Sequence, residues 1–274
     1  MSAPAATILV PVLRQEDAWL EEAIRSALGQ SVSCEVLVVT APSTPPGNLA
    51  VIHRLARDAG GRLVLRPAPI GFPVALNVGF RAATADRVGL LLSDDWLEPF
   101  AVEACLALPA DIVSTGQRRW AADGRTEIES IRRPVLTREF EALSTPEARA
   151  GYLTHFFLFR RSKILEVGGA DETLGDAPGI DDYDLVWVLL EHGASVGIVE
   201  GFCYNYRDHD RERLTLRPPG ELLVVAARTL DKHGVSGVER ERILASRARW
   251  FGRPMHVVKA GLERERSVPS GSAP

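Results

Sequence analysis

The sequence predicts an α/β fold with a doubly wound, mostly parallel sheet and a smaller antiparallel annex. Short apolar runs alternate with helical patterns through the first half of the chain. Repeated β-α-β units of this kind form parallel sheets with right-handed crossovers. A hairpin pattern then follows near residue 120, which is foreign to a purely parallel sheet and predicts the annex.

The first β-α units are marked by apolar runs and by glycines that end helices. Residues 7–13 (TILVPVL) predict the first strand, and the apolar side chains after them recur at helical spacing up to Gly29. Residues 36–40 predict a second strand, and residues 41–47 predict a loop. The helical pattern that follows stops at the glycine pair 60–61.

The next unit leads into a pair of acidic residues. Residues 63–66 predict a third strand, and residues 74–83 predict a helix begun by Pro73, a residue that favours the first helical turn. The apolar run at residues 88–92 predicts a buried strand that ends just before Asp94.

The second half changes character. Residues 118–131 predict a hairpin around the turn sequence Ala-Asp-Gly-Arg at 122–125. A buried strand, two helices that end at glycines, and a late strand are predicted at residues 152–159, 161–167, 182–191 and 196–199.

We expect three regions along the chain. Residues 1–117 form an α/β half, residues 118–217 form a second half merged with it, and residues 218–274 form a helical segment with a disordered tail. The helical segment is basic and amphipathic. It could contact an anionic membrane peripherally or a second copy of the chain, or it could pack on its own domain.

Composition limits the classes of function. The chain has 274 residues, a formal net charge of -4 and three cysteines without paired spacing. We therefore expect no nucleic-acid partner, no disulfide framework and no zinc site. The sequence shows neither a secretory signal pattern nor an apolar stretch of membrane-spanning length. A cytoplasmic location is the expectation.

Asp94 and Asp95 follow a predicted strand, at the sheet edge where α/β proteins bind ligands. Two adjacent carboxylates repel each other and need solvent, a basic partner or a divalent cation. From the pair alone, a solvated turn and a metal site are equally good interpretations.

Several short motifs occur in an order that resembles the family 2 glycosyltransferases of the GT-A fold. Across residues 7–215 the chain carries these motifs as LEEAIRSALGQ (20–30), ALNVG (75–79), SDDW (93–96), VGGADE (167–172), DDYDL (181–185) and YRDH (206–209). The resemblance implies transfer of a sugar, with inversion, from a nucleoside-diphospho-sugar donor to a hydroxyl of a small-molecule, glycan or lipid-linked acceptor. It also implies that residues 1–117 bind the nucleotide sugar and that residues 118–217 bind the acceptor and carry out catalysis.

The resemblance also implies a Mn²⁺ or Mg²⁺ ion at the acidic pair, because a divalent cation neutralises a diphosphate leaving group. One aspartate would bind the metal and the other the ribose, and we favour Asp95 for the metal and Asp94 for the ribose or a bridging contact. Leu92 stands where the family usually has a further aspartate.

Asp182 is the predicted catalytic base, since it occupies the family's acidic-pair position before a helix. Asp181 beside it would raise its proton affinity and could also contact the acceptor. The alternative is that both carboxylates merely stabilise the start of the helix.

Each of four further residues has two possible interpretations. His209 is either a metal ligand or a solvated loop histidine, and Arg207 is either a diphosphate contact or part of a surface salt bridge. His155 is either an acceptor contact or a packed core residue, and Trp96 is either a wall of the site or simply core.

The donor pocket departs from the family pattern. Thr40-Ala41-Pro42-Ser43 stands where the family usually has Asp-Asp-Gly-Ser. Thr40 and Ser43 can still hydrogen-bond a nucleobase, and Pro11 and Asn77 are further predicted donor contacts, with helix packing as the alternative for Asn77. UDP, dTDP and GDP donors all stay open.

Two rival functions follow from these departures. The missing carboxylates at Leu92 and at Thr40-Ala41 are compatible with a non-catalytic homologue that only binds nucleotide sugars. A nucleotidyltransferase on a similar sheet is the second rival, although residues 13–16 lack the glycine of a phosphate loop.

Overall fold

The computed structural model describes residues 3–174, 181–211 and 216–259. The strands in these ranges are β1 (Ala6–Val12), β2 (Cys34–Thr40), β3 (Leu63–Pro67), β4 (Arg87–Leu90), β5 (Trp96–Leu97), β6 (Ile112–Ala121), β7 (Phe157–Arg160) and β8 (Val196–Asp208). The helices are α1 (Asp17–Leu28), α2 (Pro46–Asp58), α3 (Phe72–Ala82), α4 (Ala101–Leu106), α5 (Thr137–Glu141), α6 (Pro146–Tyr152), α7 (Arg161–Glu166), α8 (Asp181–Glu191), α9 (Pro219–Lys232) and α10 (Gly237–Ala248).

The strands form one mixed sheet in the order β3-β2-β1-β4-β7-β6-β8-β5. The first four strands are mutually parallel, β7 runs antiparallel to both of its neighbours, and β5 runs antiparallel to β8. This arrangement confirms the predicted α/β class with an antiparallel annex. The sheet is continuous across both halves of the chain, because β4 pairs with β7.

Both faces of the sheet are buried, which explains why its strands are almost continuously apolar. Ile8 and Val10 of β1 pack into one core layer with α1 and α2, while Leu9 points into the opposite layer with α3 and α8. The predicted helix before Gly29 is confirmed as α1, which buries its apolar face on the first layer.

The predicted hairpin is present in a short form. β6 continues to Ala121 and pairs in parallel with β8, and the returning segment pairs with β6 through two isolated antiparallel bridges and the backbone bonds Ala121 N–Thr126 O and Ile128 N–Arg119 O. The bridges join Trp120 to Glu127 and Gln117 to Arg133. They form here because β7 pairs with β6 only from Ile112 to Ser114 and leaves the rest of that edge open.

Two strand boundaries were wrong. The strand predicted at residues 152–159 begins only at Phe157, because α6 extends to Tyr152 and the Thr154 side chain bonds Thr115 of β6 instead. The late strand predicted at 196–199 extends to Asp208, since β6 pairs with it along its length beyond an irregularity around Gly116.

The C-terminal helices pack on their own domain. Leu230 of α9 and Ile243 of α10 are buried in the same core layer as α3 and α8. Across the described ranges, no helix combines the length and the apolar character needed to cross a bilayer. The predicted disordered tail at 267–274 lies outside the described residues.

Asn77 of α3 fixes the loop that follows α7. Its amide nitrogen donates to Ala170 O and to a Glu172 carboxylate oxygen, at 2.8 Å each, and its amide oxygen accepts from Ala170 N at 2.8 Å. Gly169 lies against this amide with φ +86°, a conformation that L residues rarely adopt.

We expect Gly169→Ala to destabilise the protein by about 3 kcal/mol, because a left-handed backbone angle and overlap with the Asn77 side chain act together. Gly168→Ala is the matched control. Its φ of +87° carries the same strain but open space surrounds it, so the expected loss is about 1 kcal/mol. Urea unfolding of both variants measures the difference, and equal losses would contradict the role given to Asn77.

Candidate active site

A cavity of about 1030 Å³ opens at the carboxyl edge of the parallel strands. Pro11 of β1, Thr40 at the end of β2 and Asp94 after β4 line one side of it. His155 and Asp182 line another part of the same cavity. The structure thus brings together predicted residues from both halves of the chain.

Asp94 and His209 form a pair beside this cavity. The imidazole Nε2 lies 3.1 Å from Asp94 Oδ2, and the ring packs on Trp19 with centroids 4.6 Å apart. His209 is buried, and its Nδ1 has no hydrogen-bond partner among the described residues. The predicted solvated loop histidine is therefore wrong, because His209 directly follows β8 under the acidic loop.

The Asp94–His209 pair fits a divalent cation. Two ligand atoms at right angles around a cation, with bonds of about 2.1 Å, lie about 3.0 Å apart. Within the described part of the chain, no set of three histidine, cysteine or acidic side chains converges into a metal cluster. The protein therefore offers two ligands, and a cation here would need further ligands from a bound molecule or water.

Asp95 is buried and holds the acidic loop on β8. Its Oδ1 accepts from the backbone N–H of Arg207, and its Oδ2 accepts from the Tyr204 hydroxyl, at 2.7 Å each. Burial raises the pKa of Tyr204 well above its usual value, and the charge and hydrogen bond of Asp95 raise it further. The Tyr204 hydroxyl therefore keeps its proton and donates it in this hydrogen bond. Of the two aspartates only Asp94 lines the cavity, and direct metal binding by Asp95 stays a prediction.

The Arg207 side chain does not reach the cavity, contrary to the predicted diphosphate contact. Each guanidinium nitrogen donates to a protein oxygen: Asp94 O at 3.0 Å, Ala122 O at 3.0 Å, and the Glu22 carboxylate. The guanidinium is buried between the rings of Trp19 and Trp96. It is neither a ligand contact nor a surface ion pair, but a brace beneath the acidic loop.

Strand alternation decides which arginine faces the cavity. Arg119 of β6 is opposite Tyr206 of β8, and both side chains line the cavity with the guanidinium 3.7 Å from the ring centre. Arg207 is one residue further along β8 and therefore points to the other face. Sequence reasoning missed Arg119 and Gln117, although they alternate with Arg118 in a strand-like pattern.

Asp182 is paired with His155. Imidazole Nε2 lies 2.8 Å from Asp182 Oδ2, and the backbone N–H of Tyr183 donates to Oδ1 at 2.9 Å. Burial favours the neutral carboxyl, but the hydrogen bond and charge of His155 and the backbone N–H outweigh it. The pKa of Asp182 therefore lies below its ordinary value, the opposite of the rise expected from Asp181.

His155 also joins the two ends of the site. Its ring stacks on Tyr204 with centroids 5.5 Å apart, and Tyr204 in turn donates to Asp95. His155 Nδ1 is buried without a hydrogen-bond partner among the described residues. The side chain is thus packed and also lines the cavity, and its contact with an acceptor stays a prediction.

Three predicted residues lie elsewhere. Ser43 is exposed in the loop after β2, and the Asn77 side chain is hydrogen-bonded to Ala170 and Glu172. Trp96 packs on the Trp120 ring. None of these three residues lines the cavity. Asp181 begins α8, and its predicted acceptor contact stays a prediction.

The C-terminal segment completes the cavity wall with residues that sequence reasoning had not assigned to the site. They are Arg217, Arg242, Ile243, Ser246, Arg247, Trp250, Met255 and Val258. Asp208 at the end of β8 fixes this segment, because its carboxylate accepts from the backbone N–H groups of Met255 and His256 at 3.0 and 2.9 Å.

The sheet and cavity define a protein of the GT-A type, and known structures share this fold. A mannosyltransferase of Pyrobaculum calidifontis, PcManGT, in complex with GDP-Man and Mn²⁺, superposes with a TM-score of 0.62 at 18% identity, covering 100% of this chain and 77% of that one. S. aureus TarS 1-349 in complex with UDP-GlcNAc gives 0.60 at 16% identity, covering 89% and 71%.

Residues 7–168, more than half of the chain, match the sequence model of glycosyl transferase family 2. The chain is 30% identical over 216 residues to the O-antigen biosynthesis protein RfbC of Myxococcus xanthus, covering 75% of this chain and 16% of RfbC. It is 29% identical over 209 residues to the chondroitin synthase of Pasteurella multocida, covering 74% and 20%. The chain therefore belongs to glycosyl transferase family 2, and it spans a fifth or less of these relatives.

Replacing the buried brace should cost stability. We expect Arg207→Gln to lower the free energy of unfolding by about 3 kcal/mol, because carbonyl and carboxylate partners of the guanidinium are left unsatisfied. Arg211→Gln is the control, since Arg211 is an exposed partner of Glu16 and its loss should cost at most about 1 kcal/mol. Similar losses in urea unfolding would show that Arg207 is no brace.

Proposed function

We propose that the chain is a metal-assisted, inverting glycosyltransferase that moves a sugar from a nucleoside-diphospho-sugar donor to an acceptor hydroxyl. One observation carries the proposal: Asp94 and Asp182 line the same cavity, and each has a histidine nitrogen at hydrogen-bond distance. Membership of glycosyl transferase family 2 supports the same reaction. The cytoplasmic location, the homodimer and the peripheral membrane contact stay predictions.

Asp94 Oδ2 and His209 Nε2 are the atoms that would hold Mn²⁺ or Mg²⁺. A cation bound there would neutralise the negative charge of the diphosphate leaving group. The imidazole nitrogen favours Mn²⁺ over Mg²⁺. We give Asp94 the direct contact in place of Asp95, because both Asp95 oxygens already accept hydrogen bonds from β8.

Asp182 is proposed as the base that takes the proton of the attacking acceptor hydroxyl. Its lowered pKa keeps the carboxylate ionised at neutral pH, which is the form that accepts a proton. His155 acts as a positioning residue, because its Nε2 fixes one carboxylate oxygen while Tyr183 N fixes the other. Inversion requires this base on the side of the sugar opposite the diphosphate.

The donor nucleoside would lie where β1 and β2 end. Pro11 and Thr40 line the cavity there, and Thr44 shapes the following loop by donating its hydroxyl to Val12 O at 3.1 Å and accepting from Ala41 N at 3.0 Å. The loop carries no carboxylate for a nucleobase between residues 40 and 43. We therefore propose that Thr40 and backbone groups recognise the base.

Metal binding tests the first half of the proposal. Asp94→Asn and His209→Gln should each weaken Mn²⁺-dependent binding of UDP or GDP at least about tenfold, because each replaces a carboxylate or imidazole ligand with a neutral amide that coordinates more weakly. His192→Gln, at an exposed histidine after α8, should leave binding unchanged. Isothermal titration calorimetry measures all three. Unchanged affinity in both site variants would refute the metal assignment, and absence of Mn²⁺-dependent nucleotide binding in the native chain would refute the transferase.

Asp182→Asn tests the base. Transfer should fall at least about a hundredfold, since an amide cannot accept the hydroxyl proton. The affinity for nucleotide in the presence of Mn²⁺ should stay within about twofold of the native value, because the amide has the same size as the carboxyl group. The readout is nucleoside diphosphate released from a sugar-nucleotide donor. Full transfer in the variant would remove Asp182 from this role.

The pH profile tests His155. The acidic limb of kcat is measured at saturating Mn²⁺ and donor, where protonation of His209 does not limit it, so that in the native chain it reports the lowered pKa of Asp182. In His155→Ala the largest group that opposes the effect of burial is lost while the backbone N–H of Tyr183 remains, so the pKa of Asp182 rises and the limb moves to higher pH. His155→Gln keeps a hydrogen-bond donor and should move it less. An unmoved limb in His155→Ala would contradict the pairing.

A further inference from the structure

The cavity is more positive than the chain around it. Its described lining holds three carboxylates, Asp94, Glu147 and Asp182, and six arginines: Arg14, Arg119, Arg133, Arg217, Arg242 and Arg247. The whole chain, by contrast, has a formal net charge of -4. Arg242 is paired with Glu239 at 2.6 Å, whereas no carboxylate in the described ranges pairs with Arg133. Because a divalent cation and a diphosphate largely neutralise each other, a sugar nucleotide with its metal supplies no net negative charge for Arg133.

Two arginines and a glutamine line the inner part of the cavity, and we name Gln117, Arg119 and Arg133 the inner cluster. Gln117 and Arg119 are two residues apart on β6, so both point to the cavity face. Backbone bonds of 2.9 and 3.0 Å between Gln117 and Arg133 place the second arginine beside them. The cluster is therefore built by strand pairing and not by flexible surface side chains.

Two members of the inner cluster, Gln117 and Arg133, have polar groups that can serve a ligand. The Gln117 side chain is only 3% exposed, and its Oε1 has no hydrogen-bond partner among the described residues. Arg133 donates to the carbonyls of Gly151 and Tyr152, at 2.5 and 3.2 Å, and no carboxylate in the described ranges pairs with it. Burial, together with Arg119 nearby, lowers the pKa of Arg133 to about 10.

We propose that the inner cluster binds an anionic group of the acceptor, a carboxylate or a phosphate, beside a hydroxyl. A guanidinium group matches two oxygens of either anion, and Gln117 Oε1 can accept from the neighbouring hydroxyl. Arg133 is held by the carbonyls of Gly151 and Tyr152, just ahead of His155, the partner of the proposed base. The inference rests on the proposed function, whose acceptor it assigns to the class of anionic saccharides.

Matched pairs of small saccharides test this assignment by calorimetry on the full chain with Mn²⁺ and UDP or GDP. Methyl β-glucuronide is compared with methyl β-glucoside, and glucose 6-phosphate with glucose. At least one charged member should bind about tenfold tighter than its neutral partner, and high salt should reduce the difference. The pair that shows the preference distinguishes carboxylate from phosphate. Equal or undetectable binding of both charged members would overturn the inference.

Variants locate the preference in the inner cluster. Arg119→Gln should abolish it, whereas Arg118→Gln, one residue earlier on the opposite face and paired with Glu98, should keep it. Gln117→Glu provides a second variant of nearly unchanged shape, in which the added negative charge should repel the anion. Thermal unfolding confirms that each variant is folded. A preference that survives in both Arg119→Gln and Gln117→Glu would overturn the inference.

Nucleotide binding separates this inference from the proposed function. Arg119→Gln should bind UDP or GDP with Mn²⁺ like the native chain. If its nucleotide affinity falls and its saccharide preference is unchanged, the cluster belongs to the donor diphosphate, which overturns the inference but leaves the transferase. If the native chain binds no nucleotide, the proposed function fails, and the saccharide pairs without nucleotide still decide whether the cluster binds anions.

Discussion

The buried Asp95 carboxylate is the interaction on which the rest of the site depends. An ionised group out of water is tolerated only when hydrogen bonds replace its hydration, and Arg207 N and the Tyr204 hydroxyl supply them. These bonds fasten the acidic loop to β8, so that Asp94 meets His209. Tyr204 also stacks on His155, so the same carboxylate is linked through packing to the proposed base at Asp182.

The elements specified by local signals were predictable, and those specified by distant contacts were not. The strands and helices of the first half follow from apolar runs and helix-ending glycines, and the structure has them within a few residues. The strand predicted at 152–159 failed because the Thr154 hydroxyl bonds Thr115, thirty-nine residues away. Asn77 likewise belongs to a recognisable local motif. Its side-chain amide, however, donates to the carbonyl of Ala170, ninety-three residues away, and no local pattern predicts that contact.

The error over Arg207 has a different physical cause. A motif in a linear sequence lists residues that occur together, but the strand's alternation decides which of them face a ligand. With β8 predicted to end at 199, residues 206–209 were interpreted as a loop, and no face could be assigned to them. Once β8 extends to Asp208, the register pairs Arg119 with Tyr206 on the cavity face and Trp120 with Arg207 on the other. The length of β8 therefore decides that Arg119, and not Arg207, faces the cavity.

The basic C-terminal segment also differs from its sequence-based interpretation. Its arginines suggested a membrane or partner surface, because a basic amphipathic helix has one apolar and one charged face. In the fold, Ile243 is buried in the core while Arg242 and Arg247 line the cavity, so part of the positive charge faces inward. Asp208, next to His209 on the chain, holds residues 255 and 256 against β8. The segment is thereby coupled to the loop that carries His209, and it forms part of the cavity wall.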